Sequence, residues 1–283
     1  MSGNTGDTGD TGDTGDTGDT GNVGYAGGGG ARYPDRIDLP FITEPGVAQI
    51  SMARSEFGAR NWAATWYSWR ALGDFGTTKW QTRIAVAPPP DLTTTKAEIE
   101  TLKTMVLDER PDARSEILGQ DEEFMRYFLA VMGANPNSHP ATFSVLNIAN
   151  MVATMVVMHF KGIFDRPRPS QICPALLPPI PVPGHASYPS GHSTQAHLFA
   201  LCASSILPLP QQAAMGFILK RLADRIARNR EIAGLHYPSD TAAGVDLASK
   251  VFEILMNESV MPREKDKPST FAAAMKAAQA EWA

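Results

Sequence analysis

From residue 92 onward the chain reads as one helix-length pattern after another, and this constrains its fold class more than any other feature. Apolar positions recur at the i, i+3, i+4 spacing of an amphipathic helix over about 95–108, 112–133, 141–162, 192–207, 211–234, 240–257 and 269–282. No alternating pattern long enough for a strand intervenes, so the body is expected to be all-α, a helical bundle. Residues 163–191 break the rhythm: they are Pro-rich, lack periodicity and read as a long loop. Further upstream, Trp62, Trp66, Tyr67 and Trp69 sit at helical spacings, which predicts core packing rather than a binding box. Pro88-Pro89-Pro90 then interrupts the chain, and Asp91 can cap the helix that follows.

Composition becomes informative only after the chain is split. Residues 1–31 are a Gly-Asp-Thr repeat with glycine at every third position from Gly3. The period is that of collagen, but the repeat lacks proline and would self-repel, so a flexible acidic tail is expected. Asp7, Asp10, Asp13, Asp16 and Asp19 account for the whole net charge of −5, because the remaining 25 acidic residues equal the 25 Lys and Arg. Residues 32–283 are expected to form one folded domain, entered near Tyr33. Its neutral balance, with no basic block, argues against nucleic acid as a partner. Two cysteines, Cys173 and Cys202, are too few for a disulfide framework or a Cys-rich metal site. The N-terminus lacks the basic and apolar regions of a secretory signal, so a cytoplasmic location is expected. Ala141–Phe160 has the length of a membrane span, yet it contains Ser144, Asn147, Asn150 and His159, which would need partners in lipid. With no second strong candidate beside it, the reading is a buried core helix and no transmembrane span.

Three short segments concentrate cations and histidines where the pattern says core. The first is Lys161 to Pro169, containing Arg166 and Arg168; basic residues there could simply complement a helix C-terminus. The second is Ser187 to His192, where Ser190 is a good N-cap and Gly191 lets the backbone approach a ligand. Free N–H groups at such a start form an anion cradle; an ordinary capped helix explains Ser190 but not His192 beside it. The third is Arg230 to Asp240. Arg230 continues the apolar stripe of Ile218, Leu219, Leu222 and Ile226, whereas Arg221, Arg225 and Arg228 form a different, solvated face. A guanidinium on a buried stripe is costly unless an anion meets it. Asp240, four residues after His236, can accept a bond from one imidazole nitrogen and leave the other as nucleophile or ligand. Together Lys161, Arg168, Arg230, Ser190, Gly191, His192 and His236 suit one tetrahedral or trigonal-bipyramidal oxyanion.

The spacings resemble the signature of the type 2 phosphatidic acid phosphatase and vanadium haloperoxidase superfamily. Lys-x6-Arg-Pro stands as Lys161 with Arg168-Pro169, Pro-Ser-Gly-His as Pro189 to His192, and the third motif as Arg230, His236 and Asp240. Asn229 replaces the serine that usually precedes the arginine, and a modest effect is expected. The resemblance covers roughly 141–257. It implies a helical bundle of the acid phosphatase and haloperoxidase type and metal-free phosphoryl transfer. His236 would attack phosphorus to give a phosphohistidine, Asp240 would orient it, and His192 would protonate the leaving oxygen. Arg166 lacks the matching spacing and is read as a rim or structural cation.

The same resemblance admits a second activity. In haloperoxidases of this superfamily vanadate occupies the pocket, the histidine matching His236 ligates vanadium, and peroxide oxidises a halide. His185, seven residues before His192, resembles a second histidine of algal bromoperoxidases; otherwise it is a loop residue lining the pocket. His236-Tyr237-Pro238-Ser239-Asp240 and the chain length resemble the phosphatases. The expected activity is therefore a phosphomonoester hydrolase without cofactor, with a vanadate-dependent haloperoxidase as alternative and a non-catalytic oxyanion binder as third. Expected partners are a small-molecule phosphate ester, or halide and hydrogen peroxide. A homo-oligomer is compatible with an all-α body of this size. Residues 170–188, with Cys173, Leu176, Leu177, Ile180 and Val182, are expected to wall the pocket, and His139, His159 and His197 to be structural.

Overall fold

The structure is a computed structural model and describes residues 62–121, 123–262 and 267–283. The Gly-Asp-Thr tail and the predicted start of the domain near Tyr33 lie outside the described residues. Among the described residues there is no β-strand, and the all-α expectation holds. The helices are α1 (Ala64–Gly76), the single turn α2 (Trp80–Arg83), α3 (Leu92–Asp108), α4 (Arg110–Gly119), α5 (Met125–Met132), α6 (Pro140–Phe164), the turn α7 (Pro169–Ile172), α8 (Gly191–Ile206), α9 (Leu209–Ile232), α10 (Pro238–Met256) and α11 (Thr270–Glu281). The long loop is as predicted, except that α7 and a 3-10 turn at Pro174–Leu176 lie within it.

Helix α8 is the axis of the bundle. It packs on α6, α9 and α10, while α1 and α11 close over the far side of α6. Its sequence permits this, since Ala196, Leu198, Phe199, Cys202, Ala203 and Ile206 bury nearly all round it. The start of α8 is capped by Ser190 Oγ, which accepts from Ser193 N at 3.3 Å. Helix α6 presents Val145, Leu146, Ala149, Val152, Ala153 and Val156 to the core, all fully buried. A smaller second core forms where α3 and α4 meet the long loop and the end of α9, around Leu102, Ile117, Leu176 and Tyr237.

Two expectations change. The pattern over 112–133 is not one helix: it breaks after Gly119 and resumes at Met125. Of the early aromatic group, only Tyr67 is buried, because α1 docks through the 67, 71, 75 stripe of Tyr67, Ala71 and Phe75. Trp66 and Trp69 fall on the opposite face and are about half exposed, at 48% and 49%.

The helix crossing that shapes the site depends on Gly244. A Cβ there would lie 2.8 Å from both the Ser190 carbonyl oxygen and Ser193 Cβ, so α10 approaches the start of α8 only because residue 244 has none. Gly244→Ala should cost about 1–3 kcal/mol by overpacking against backbone. Gly162→Ala, at an exposed helical position where a Cβ meets nothing within 4 Å, should instead gain about 0.5–1 kcal/mol. Urea unfolding of the two variants measures both.

Candidate active site

The three predicted segments converge. Lys161 ends α6, Arg168 precedes α7, Ser190 and His192 open α8, Arg230 ends α9, and His236 with Asp240 bracket the start of α10. Lys161, Arg168 and Arg230 are 2%, 1% and 1% exposed, so three cations are placed in low dielectric. Lys161 Nζ donates to the carbonyls of Ala186 and Ser187, at 2.5 and 2.9 Å. Arg168 donates through Nε to the His185 carbonyl (3.1 Å), through Nη1 to the Leu235 carbonyl (3.0 Å), and lies 3.0 Å from both His236 Nε2 and His185 Nδ1. Arg230 donates to the Ile117 carbonyl (2.8 Å) and to Asp121 Oδ1 (3.1 Å), while its Nε–H is buried without a hydrogen-bond partner. Buried cations held mainly by neutral carbonyls, with one donor unsatisfied, form an electrostatic setting suited to an anion.

Asp240 is fully buried and organises the histidine. Its Oδ2 accepts from the Ser187 hydroxyl, from Tyr237 N at 3.1 Å and from His236 Nδ1 at 3.1 Å. Helix α10 brings this about locally: Pro238 fills N1 and Asp240 sits at N3, where a carboxylate also favours the helix dipole. The guanidinium of Arg168 can only donate, so His236 Nε2 must be an acceptor and Nδ1 must carry the proton. That tautomer leaves the Nε2 lone pair directed among the cations. Burial, then the charges of Arg168 and Lys161, hold the His236 pKa well below its usual value.

His192 lies across the site. Its Nε2 sits 3.2 and 3.1 Å from the carbonyls of Gln120 and Asp121, and its ring stacks on Phe124 at 4.7 Å. Burial, with the charge of Arg230 next, pushes its pKa down to about 3, although the two carbonyl contacts favour the charged form. Gly191 has only ordinary contacts around a built Cβ, at 3.8 and 3.9 Å, so nothing inside the protein requires glycine there. His185 is an exposed loop residue that meets Arg168.

The sequence pattern missed the contribution of the α4–α5 junction. Ile117, Gln120, Asp121 and Phe124 all reach Arg230 or His192. Gly119 was the available signal, a helix stop inside a pattern read as continuous. Arg166, read as a rim or structural cation, is the structural one: it is buried beneath the site and donates to Asp240 Oδ1 at 2.6 Å. Asn229, the departure from the motif, donates to Gln120 and Glu116 and ties α9 to α4. The solvated face is as expected, with Arg225 paired to Glu116 and Arg228 to Glu109. His197 bonds the Ser193 carbonyl and Asp224, His139 stacks on Trp282, and His159 meets Trp80 edge-on. Among the described residues no group of three or more His, Cys, Asp or Glu could hold a metal ion.

The family model of the PAP2 superfamily matches residues 142–257, which carry all three motifs. Over these residues the chain resembles the PAP2 superfamily. Two curated relatives, both decaprenylphosphoryl-5-phosphoribose phosphatases from Mycobacterium tuberculosis strains, are 32% identical over 104 residues. The match takes in 37% of this chain and 54% of each relative, so the chain spans about half the length of the curated relatives it matches. A solved structure described as the first transmembrane PAP2-type phosphatidylglycerolphosphate phosphatase, from Bacillus subtilis, aligns with a TM-score of 0.46 at 16% identity, over 65% of this chain and 93% of that one.

The expectations of no transmembrane span and a cytoplasmic location are corrected here. Helical structure from Pro140 to Ile172 contains a stretch long and apolar enough to cross a membrane, with mean hydropathy 1.7 and half of that window buried inside the protein. The two curated relatives carry a decaprenylphosphoryl group in their name. Of the polar residues named for this segment, Ser144 Oγ and Asn147 Nδ2 donate to the helix's own carbonyls four residues earlier, both at 2.9 Å, Asn150 Oδ1 accepts from Gln195 Nε2 at 2.7 Å, and His159 meets Trp80 edge-on.

Histidines held neutral in the fold give a pH dependence with a definite sign. The unfolded chain binds protons below about pH 6.5 while folded His192 does not until about pH 3. Stability should therefore be full above pH 6.5 and fall progressively below it, by about 2 kcal/mol from His192 alone at pH 5. Urea unfolding at stepped pH checks this, and His192→Gln should flatten the slope.

Proposed function

We propose that this protein is a phosphomonoester hydrolase that works through a phosphohistidine on His236, without a metal cofactor. The observation that carries the reading is the neutral His236, its Nδ1–H on Asp240 and its Nε2 facing the Arg168 guanidinium, with the charge of Lys161 also acting on the ring. A phosphoryl group has three equatorial oxygens that gather charge in the transition state, and preorganised cations stabilise them. His236 Nε2 forms the N–P bond as the bond to the leaving oxygen breaks. His192 supplies the proton to that oxygen. In the free site its pKa is held low first by burial and then by the charges of Arg230 and Arg168; a phosphate dianion offsets the two charges and raises it, so that substrate arrival and protonation are coupled. Water, deprotonated by the now neutral His192, then attacks phosphorus, the N–P bond breaks, and phosphate leaves. The Ser190 and Gly191 turn supplies further donors at the start of α8.

A recess of about 490 Å³ adjoins the site through Asp121, between Leu118 and Glu123 on one side and Pro179–Pro181 on the other. It would take the leaving group; of the loop residues expected to wall the pocket Ile180 borders this recess, while Leu176 is buried in the smaller core. The relatives' name directs attention to a phosphorylated sugar on a polyprenyl carrier as the first natural substrate class to test.

The donor set also suits vanadate. Lys161, Arg168 and the unpartnered Nε–H of Arg230 would hold its oxygens and His236 Nε2 would ligate it, and bound vanadate would supply peroxide activation. The two curated relatives favour the phosphatase, and His185, exposed and bonded to Arg168, has the contacts of an ordinary loop residue.

The purified protein should hydrolyse an aryl phosphate without added metal, with vanadate inhibiting. Acid-quenched enzyme should retain label from a phosphorylated substrate, and His236→Ala should abolish the label and lower kcat by at least ~1,000-fold. Label that survives in His236→Ala would remove His236 from the nucleophile role. Tight phosphate binding with no turnover would favour the non-catalytic binder.

A further inference from the structure

Arg166 and Glu98 form a buried layer of charge behind the His236–Asp240 pair. Arg166 is 5% exposed and its fork spans two carboxylates. Nη1 donates to Asp240 Oδ1 (2.6 Å) and Ser239 Oγ (2.8 Å), while Nη2 donates to Glu98 Oε2 (2.9 Å) and Thr95 Oγ1 (3.1 Å). The guanidinium carbon lies 3.7 Å from the Tyr237 ring centroid, which fixes its plane. Glu98 also accepts from Ser239 N (2.7 Å) and Ser239 Oγ (2.9 Å), at the first turn of α10. Glu98 and Thr95 belong to α3, outside the residues that match the family.

We propose that Arg166 and Glu98 are a positioning pair that locks the Asp240 carboxylate and, through it, the Nδ1–H tautomer and ring plane of His236. A carboxylate torsion is broad and roughly two-fold, so three donors on Oδ2 alone do not hold the plane. Arg166 anchors Oδ1 and removes that freedom. An unpaired Arg166 would add a fourth buried cation to Lys161, Arg168 and Arg230 and would offset the charge of Asp240. Glu98 neutralises it, so the pair contributes geometry while Asp240 keeps its negative charge for His236. Lysine cannot replace the fork, because a point charge cannot bond Asp240 and Glu98 in one plane. The inference rests on His236 being the nucleophile.

The test uses the full chain carrying Arg166→Lys or Glu98→Gln, with kcat and KM for an aryl phosphate and ¹⁵N-histidine NMR of the resting enzyme. Arg166→Lys should lower kcat by about 10- to 100-fold with KM within about twofold, as a misplaced reacting group does. His236 should pass from the single Nδ1–H form to a mixture of tautomers. Glu98→Gln, nearly isosteric, should give the same signature at about 5- to 10-fold and keeps the test available if Arg166→Lys does not fold. A lower melting temperature with unchanged kcat per folded enzyme and an unchanged His236 tautomer would overturn the proposal. If the wild-type protein hydrolyses no phosphate ester, the functional reading fails, but the ¹⁵N spectra still decide whether the pair sets the tautomer.

Discussion

The buried carboxylate of Asp240 is the interaction on which the rest of the site depends. It faces four donors from three parts of the chain: Arg166 and Ser187 from the long loop, His236 from the turn after α9, and the backbone of Tyr237 at the start of α10. A fully buried carboxylate is tolerable only when its lone pairs are met in this way. Removing any one donor leaves the others misaligned as well as one bond short, since all of them share two oxygens. The same group starts a helix, fixes an imidazole tautomer and ties the long loop to the bundle. Its backbone takes part too: the Asp240 carbonyl accepts from Ser190 N at 3.0 Å, so the start of α8 is held by the residue that orients His236.

Around this carboxylate the balance of charge is deliberate in its asymmetry. Lys161, Arg166, Arg168 and Arg230 are buried, against Asp240, Glu98 and Glu231 as buried acids. Arg166 is shared between two carboxylates, and Arg230 has Asp121. Lys161 and Arg168 are held by carbonyls and histidines. The fold bears this cost because the helices carrying the cations are anchored elsewhere, by fully buried positions such as Val145, Leu146, Val152, Leu219 and Ile226. A site like this is destabilising by itself and is stabilised by a core that does not share its residues.

What could be read from the residues alone follows from how local each signal is. Helix periods and caps are local, so the long helices from 92 onward, other than the break after Gly119, the Asp91 and Ser190 caps and the Pro-rich loop were legible. Motif residues separated by fixed spacings were legible too, because a helix start or end sets where each one points. Trp66 and Trp69 were misplaced because a period identifies a helix but not which of its faces meets a neighbour; α1 chose the face with the small Ala71. Arg166 was undervalued and Glu98 unseen for a related reason. Their partners are 74 and 68 residues apart in sequence, and no spacing announces such contacts. The polar groups of α6 misled in the opposite direction: a hydroxyl or amide that bonds its own helix costs little in any surroundings.

The junction between α4 and α5 shows why the matched residues do not complete the site. Residues 142–257 supply three motifs, yet Arg230 is neutralised by Asp121 and His192 is held by the carbonyls of Gln120 and Asp121. Asp121 is the one carboxylate of the group with substantial exposure, at 33%, and it borders the recess. In the resting site it occupies one fork of a buried guanidinium whose Nε–H has no partner. On the proposed function, an arriving phosphate would exchange with a carboxylate rather than enter an uncompensated field, and the desolvation of Arg230 would be the same before and after. The net attraction would then come from the charge in which a phosphate dianion exceeds a carboxylate, and from Lys161 and Arg168, which are held by carbonyls and histidines. That difference is larger for a doubly charged monoester than for a singly charged diester, so under that reading the pairing of Asp121 with Arg230 would favour the monoester.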